Sequence, residues 1–163
     1  MKYAIIKPSI NLLILICSIL GCNRSSAQAI DSPGGDGPPA RLLFEKHLKA
    51  VEDKDTANLR STINMGGRYL LILPDGNSMN TAQEFYKMHQ EWFNEPGWTI
   101  DMEIKEFRQS GDFAQSTVVA TYREPDRNGQ PYWHKMWITY VLENIDGRWF
   151  VTSDHASTME KSE

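Results

Sequence analysis

Apolar and polar positions change their period three times along the chain. Ile10 to Leu20 is almost continuously apolar, Asn23 to Ala40 carries no apolar period, and a patterned region starts near Arg41. Leu43, Phe44, Leu48 and Val51 recur at helical spacing while Glu45, Lys46, Lys49 and Glu52 face away, which predicts an amphipathic helix. Asp55 is placed to cap a short second helix carrying Leu59 and Ile63. Gly66-Gly67 ends it, Arg68 to Leu73 has strand composition, and Pro74-Asp75-Gly76-Asn77 is a turn. Thr81-x-x-Glu84 is a capping box for a third helix running to about Asn94. Its two neighbouring stripes, Phe85-Met88-Trp92 and Tyr86-His89-Phe93, make it apolar over a broad arc.

After Gly97 the period is two. Ile100, Met102 and Ile104 alternate with Asp101, Glu103 and Lys105 between Thr99 and Phe107. Phe113 to Glu124, Tyr132 to Asn144 and Arg148 to Asp154 continue as strands, joined at Ser110-Gly111-Asp112, at Pro125 to Gly129 and at Asp146-Gly147. The expected order is α-α-β-α-β-β-β-β. Helices gathered ahead of an antiparallel meander predict the α+β class. Alternation groups Met136, Ile138, Tyr140 and Leu142 with His134, opposite Trp133, Lys135, Trp137 and Thr139. On the last strand it groups Phe150, Thr152 and Asp154 against Trp149, Val151, Ser153 and His155. Both faces are partly apolar, so the pattern leaves open which one looks inward.

The apolar run at Ile10 to Leu20, preceded by Lys2 and Lys7, fits the h-region of an export signal and is too short to span a bilayer. It ends in Ile19-Leu20-Gly21-Cys22, which resembles the lipobox of bacterial lipoproteins. That resemblance implies removal of residues 1–21, lipidation at Cys22, and an envelope location with a membrane tether through residues 22–40. Cleavage after Ala29, at Ala27-Gln28-Ala29, is the alternative and gives a periplasmic or secreted form. The Gly- and Pro-rich stretch Pro33 to Pro39 is no phosphate loop, since no strand precedes it and no Gly-Lys-Ser/Thr follows.

Composition narrows the partners. The 163 residues carry a formal charge of -4, and loss of Lys2 and Lys7 with the signal takes away two positive charges, to -6. Nucleic acid is therefore not an expected partner. The two cysteines, Cys17 and Cys22, both fall in the signal region, which leaves no thiol chemistry for the domain.

A helix pair, an early strand, a third helix and four long strands resemble the nuclear transport factor 2-like superfamily, which includes the SnoaL-like proteins. Tyr140 to Ser157, an aromatic strand, an Asp-Gly-x-Trp turn and a closing strand, is similar to the ending of its small members. The resemblance covers residues 41–157, leaving 158–163 as a polar tail. It implies a curved sheet folded as a cone around the three helices, a pocket at one open end, and a homodimer formed through the sheet. It does not fix an activity, because such folds serve isomerases, dehydratases, hydrolases and non-catalytic assembly domains. Ketosteroid isomerase-type enzymes use a Tyr on the first helix, a base near the first strand and an acid on a later strand. This chain has no Tyr on its first helix and no acid in Tyr69 to Leu73, so that set does not carry over.

Asp154, His134 and His155 are the candidate catalytic residues, since a carboxylate and imidazoles at a pocket supply general acid–base chemistry. Asp154 and His155 are adjacent on a strand and point to opposite faces, which argues against a shared site. The plainer roles are a strand-end Asp bonded to local backbone and histidines packed in an aromatic surface. On the helices, His47 is expected at a boundary position and His89 in the core or pocket wall. Tyr86, His89, Trp92, Trp98, Tyr122, Trp137 and Tyr140 are the expected pocket lining. Neither a metal nor another cofactor is implied. Two functions follow: binding of a small apolar or aromatic ligand, or assembly, without chemistry; and an isomerase, dehydratase or hydrolase with Asp154 or a pocket His as base.

Overall fold

The computed structural model describes residues 39–163; the expected export signal, Cys22 and the stretch up to residue 38 lie outside them. Helix α1 (Pro39–Glu52) starts two residues earlier than its apolar stripe suggests, with proline at the first helical position, where a missing N–H costs nothing. Asp55 caps α2 (Thr56–Ser61) by accepting from the Asn58 amide at 2.9 Å. Strand β1 (Arg68–Ile72) turns through Asp75 and Gly76 into β2 (Ser78–Thr81), a short strand that the turn residues had hidden. The capping box forms as expected. Thr81 Oγ1 accepts from the Glu84 amide, Glu84 reaches back to the Thr81 amide, and α3 (Ala82–Phe93) begins there.

Four long strands follow: β3 (Thr99–Ser110), β4 (Phe113–Arg127), β5 (Gln130–Ile145) and β6 (Arg148–Lys161). The Asn128-Gly129 and Asp146-Gly147 pairs all have positive φ, as two-residue hairpin turns of matching twist require. Strand β6 runs seven residues past Asp154, so most of the expected polar tail is sheet. The sheet order is β2-β1-β6-β5-β4-β3, and β1 pairs with β6 in parallel while every other pair is antiparallel. The fold is thus α+β, with an open, curved six-stranded sheet.

Register shifts interrupt β3 near Lys105, β4 before Arg127 and β6 at two places. Each extra residue bends its strand, and together they let the sheet wrap. Helix α1 packs on β3, β5 and β6, and α3 packs on β1 and β2. The seam between helices and sheet is aromatic. Phe44 meets Tyr140 edge-on at 5.0 Å, and Phe85 is sandwiched between Tyr69 at 3.9 Å and His89 at 4.0 Å.

Candidate functional site

Strict alternation would put Val151 and Asp154 on opposite faces of β6, yet both are buried. The ladder explains this. Leu142 pairs with Val151 but Val141 pairs with Ser153, so Thr152 is the extra residue of a bulge and the inward phase restarts after it. The expected grouping of Phe150 and Thr152 with Asp154 breaks at that point. Asp154 then stands on the concave face between Leu71 of β1 and Tyr140 of β5, its register partners. Thr152 is turned away, donating to Glu143 Oε1 at 3.0 Å.

The concave face and the helices enclose a cavity of about 280 Å³. Helices α1 and α3 contribute His47, Val51, Met88, His89 and Trp92; the strands contribute Leu71, Ile100, Met102, Met136, Ile138 and Tyr140 beside Asp154. The wall is almost wholly apolar. Its polar exceptions are His47, His89, Tyr140 and Asp154, and Asp154 is the sole acid among the buried described residues.

Asp154 is 7% exposed, and its Oδ1 has no hydrogen-bond partner among the described residues. Burial without a cation pushes its carboxyl up to about 8, against a weaker opposing pull from its own backbone amide. It is therefore mainly the neutral acid at pH 7. Burial also lowers His47 to about 3, with His89 nearby adding to the effect. Burial lowers His89 to about 4, opposed by the Phe85 carbonyl. Burial, then proximity to Asp154, raises both Tyr69 and Tyr140. The cavity is thus lined by uncharged groups at neutral pH.

Of the residues expected at the site, Asp154, His89, Trp92 and Tyr140 border the cavity. His155 is exposed on the opposite face, as alternation requires. His134 sits toward the far end of β5, its Nε2 2.8 Å from Thr158 Oγ1; burial, Lys161 and Arg127 lower it, and it does not border the cavity. Trp98 is buried behind Trp92, stacked at 4.1 Å, and Tyr122 lies beside that pair. Tyr86 lies under Arg60, and Trp137, 39% exposed, is on the outer face of the sheet. None of these four lines the cavity.

His47 was expected at a boundary position on its helix, and it is instead 1% exposed in the cavity wall. The signal for it was present. Positions 44, 47, 48 and 51 form one continuous helical stripe, so a polar residue at 47 had to be buried with the others. Met88, Met102 and Met136 of the wall carried the same kind of signal, each standing in the apolar stripe or alternating face of its element. No three His, Cys, Asp or Glu side chains among the described residues converge as metal ligands.

Opposing titrations give this site a pH signature. The histidines are held below their ordinary value of 6.5, so stability is lost as pH falls below about 6.5 and the unfolded chain takes up protons. Asp154 is raised, so stability is lost as pH rises from its ordinary value of 3.8 toward about 8. Two histidines outweigh one carboxyl below 6.5, and above it only the carboxyl acts. Chemical denaturation as a function of pH should therefore show a maximum near pH 6.5. In Asp154→Asn the alkaline decline should vanish, separating the two curves by roughly 1–2 kcal/mol between pH 6.5 and 8.5. Parallel curves would contradict the burial of an ionisable Asp154.

A model of the SnoaL-like domain matches residues 41–160, while no curated protein matches the chain. Several solved structures share the fold. A candidate dehydratase of the NTF2-like family from Streptomyces avermitilis is 17% identical, with TM-score 0.63 over 75% of this chain and 94% of its own. A ketosteroid isomerase-like protein from Erwinia carotovora atroseptica is 18% identical, with TM-score 0.61 over 75% and 95%. The association domain of C. elegans CaMKII is 18% identical, with TM-score 0.54 over 72% and 92%. At such identities the likeness speaks for architecture and not for activity. With the family model spanning the whole helix-and-sheet unit, this chain belongs to the SnoaL-like domain family.

Proposed function

We propose that this domain binds a small, mostly apolar molecule in the cavity, with Asp154 as the polar anchor that orients it. The observation that carries this reading is the pairing of an apolar enclosure with one buried carboxyl whose Oδ1 has no partner among the described residues. Such an acid, neutral at pH 7, donates a hydrogen bond to a ligand oxygen without the cost of a buried charge. Trp92 in the wall, stacked on Trp98, supplies an intrinsic reporter. Titration with a panel of small aromatic and alicyclic compounds should change tryptophan fluorescence saturably. Asp154→Leu should weaken oxygen-bearing ligands about tenfold while sparing hydrocarbons. A flat response across the panel contradicts the reading.

The raised Asp154 also favours a second reading, an isomerase, dehydratase or hydrolase in which it gives or takes a proton. A group titrating near neutrality suits both halves of a proton transfer. Under that reading Asp154→Asn abolishes turnover and leaves ligand binding, whereas the binding reading has no turnover to lose.

The outer face of the sheet is proposed as a homodimer surface. Trp137 stands half-exposed there beside Val119, with Trp133 on the same face of β5. The similarity to an association domain adds support. Sedimentation should give a dimer for the wild type and a monomer for Trp137→Asp, and a wild-type monomer would remove the proposal. Ile19 to Cys22 supports lipid anchoring at the cell envelope. Cys22→Ala should move the protein from the membrane fraction to the soluble one; unchanged fractionation favours cleavage at Ala29 or a retained signal.

A further inference from the structure

The polar groups around the cavity differ in what they still have to offer a ligand, and three short hydrogen bonds decide it. His89 Nδ1 lies 2.9 Å from the Phe85 carbonyl oxygen. A carbonyl only accepts, so Nδ1 carries the ring proton. His47 Nδ1 lies 2.8 Å from Thr62 Oγ1. That hydroxyl has one proton, which it donates to the Leu59 carbonyl at 2.7 Å. It must therefore accept from His47, and Nδ1 is again the protonated nitrogen. Burial keeps both rings neutral, so each Nε2 is left as a bare lone pair. The described residues give neither of them a donor.

Two acceptors on the helix side thus meet a donor acid on the sheet side, across one apolar space. We propose that the cavity takes a neutral alcohol or phenol, whose hydroxyl proton is accepted by Nε2 of His47 or His89. This rests on the reading that the cavity binds a ligand, and it names that ligand's chemistry. A hydrocarbon or a ketone has no proton for the histidines and leaves their lone pairs dry, at the cost of an unmade buried hydrogen bond. A carboxylate would enter a wall that holds no Lys or Arg. A cavity of about 280 Å³ lies at the lower edge of ligand pockets, which limits the skeleton to one or two rings.

The test compares β-tetralol, β-tetralone and tetralin, one fused skeleton with an alcohol, a ketone or neither, by calorimetric titration of the full chain. The alcohol should bind about tenfold or more tightly than the other two. His89→Phe keeps the aromatic packing around Phe85, Trp92 and Phe93, and it should reduce that margin by weakening the alcohol more than tetralin. Equal binding of all three, or preference for the ketone, overturns the alcohol proposal and leaves the ligand-binding reading standing. Failure of all three to bind overturns both. Independently of any variant, nitrogen-15 spectra of the histidine-labelled chain at pH 7 should show two rings protonated at Nδ1 and bare at Nε2. Protonation at Nε2 in both rings overturns the proposal whatever the ligands do.

Discussion

A carboxyl group taken out of water without a cation must give up its charge or unfold the site that holds it. Asp154 is in that position, with Leu71 on one side, Tyr140 on the other and an apolar cavity in front. No described Lys or Arg borders the cavity, and the two imidazoles in its wall, His47 and His89, are themselves held neutral by burial. The site is therefore organised around the absence of charge. Keeping the carboxyl protonated at neutral pH turns the most hydrophilic side chain of the wall into a hydrogen-bond donor.

The geometry that brings this about is local and small. One extra residue, Thr152, resets the phase of β6 between Val151 and Asp154. Without it, the strand could bury Val151 against the helices or turn Asp154 inward, but not both. The bulge also lets Thr152 reach Glu143 on the other face, so the irregularity has a hydrogen bond of its own. Similar register shifts along β3, β4 and farther along β6 curve the sheet around α1 and α3, and the cavity is the space left between them.

Periodicity made most of the elements legible, because the cues are local: the Thr81/Glu84 capping box, the Asn-Gly and Asp-Gly hairpins, the alternating run from Thr99. The resemblance of the closing segment to the superfamily pointed to the right architecture. What alternation could not show was the inward face of β6, since a bulge leaves no mark in a stretch such as Phe-Val-Thr-Ser-Asp. Short β2 was hidden by the turn residues before it, and the parallel β1–β6 pairing depends on contacts distant in sequence. At the site, Asp154, His89, Trp92 and Tyr140 were legible. The stripe of α1 marks His47 for burial, against its expected boundary position, and alternation sets Trp137, expected in the lining, opposite Tyr140.

The fold itself is compatible with catalysis, binding or assembly, so the protonation of one side chain carries more of the functional weight than the architecture does. Its most direct measurement is a carbon-13 carboxyl titration of Asp154, assigned by comparison with Asp154→Asn. A midpoint about 8 is expected, far above the exposed carboxylates of the same molecule. A midpoint at the ordinary value of 3.8 would mean that the carboxyl is solvated or paired, and would contradict the neutral, desolvated site described here.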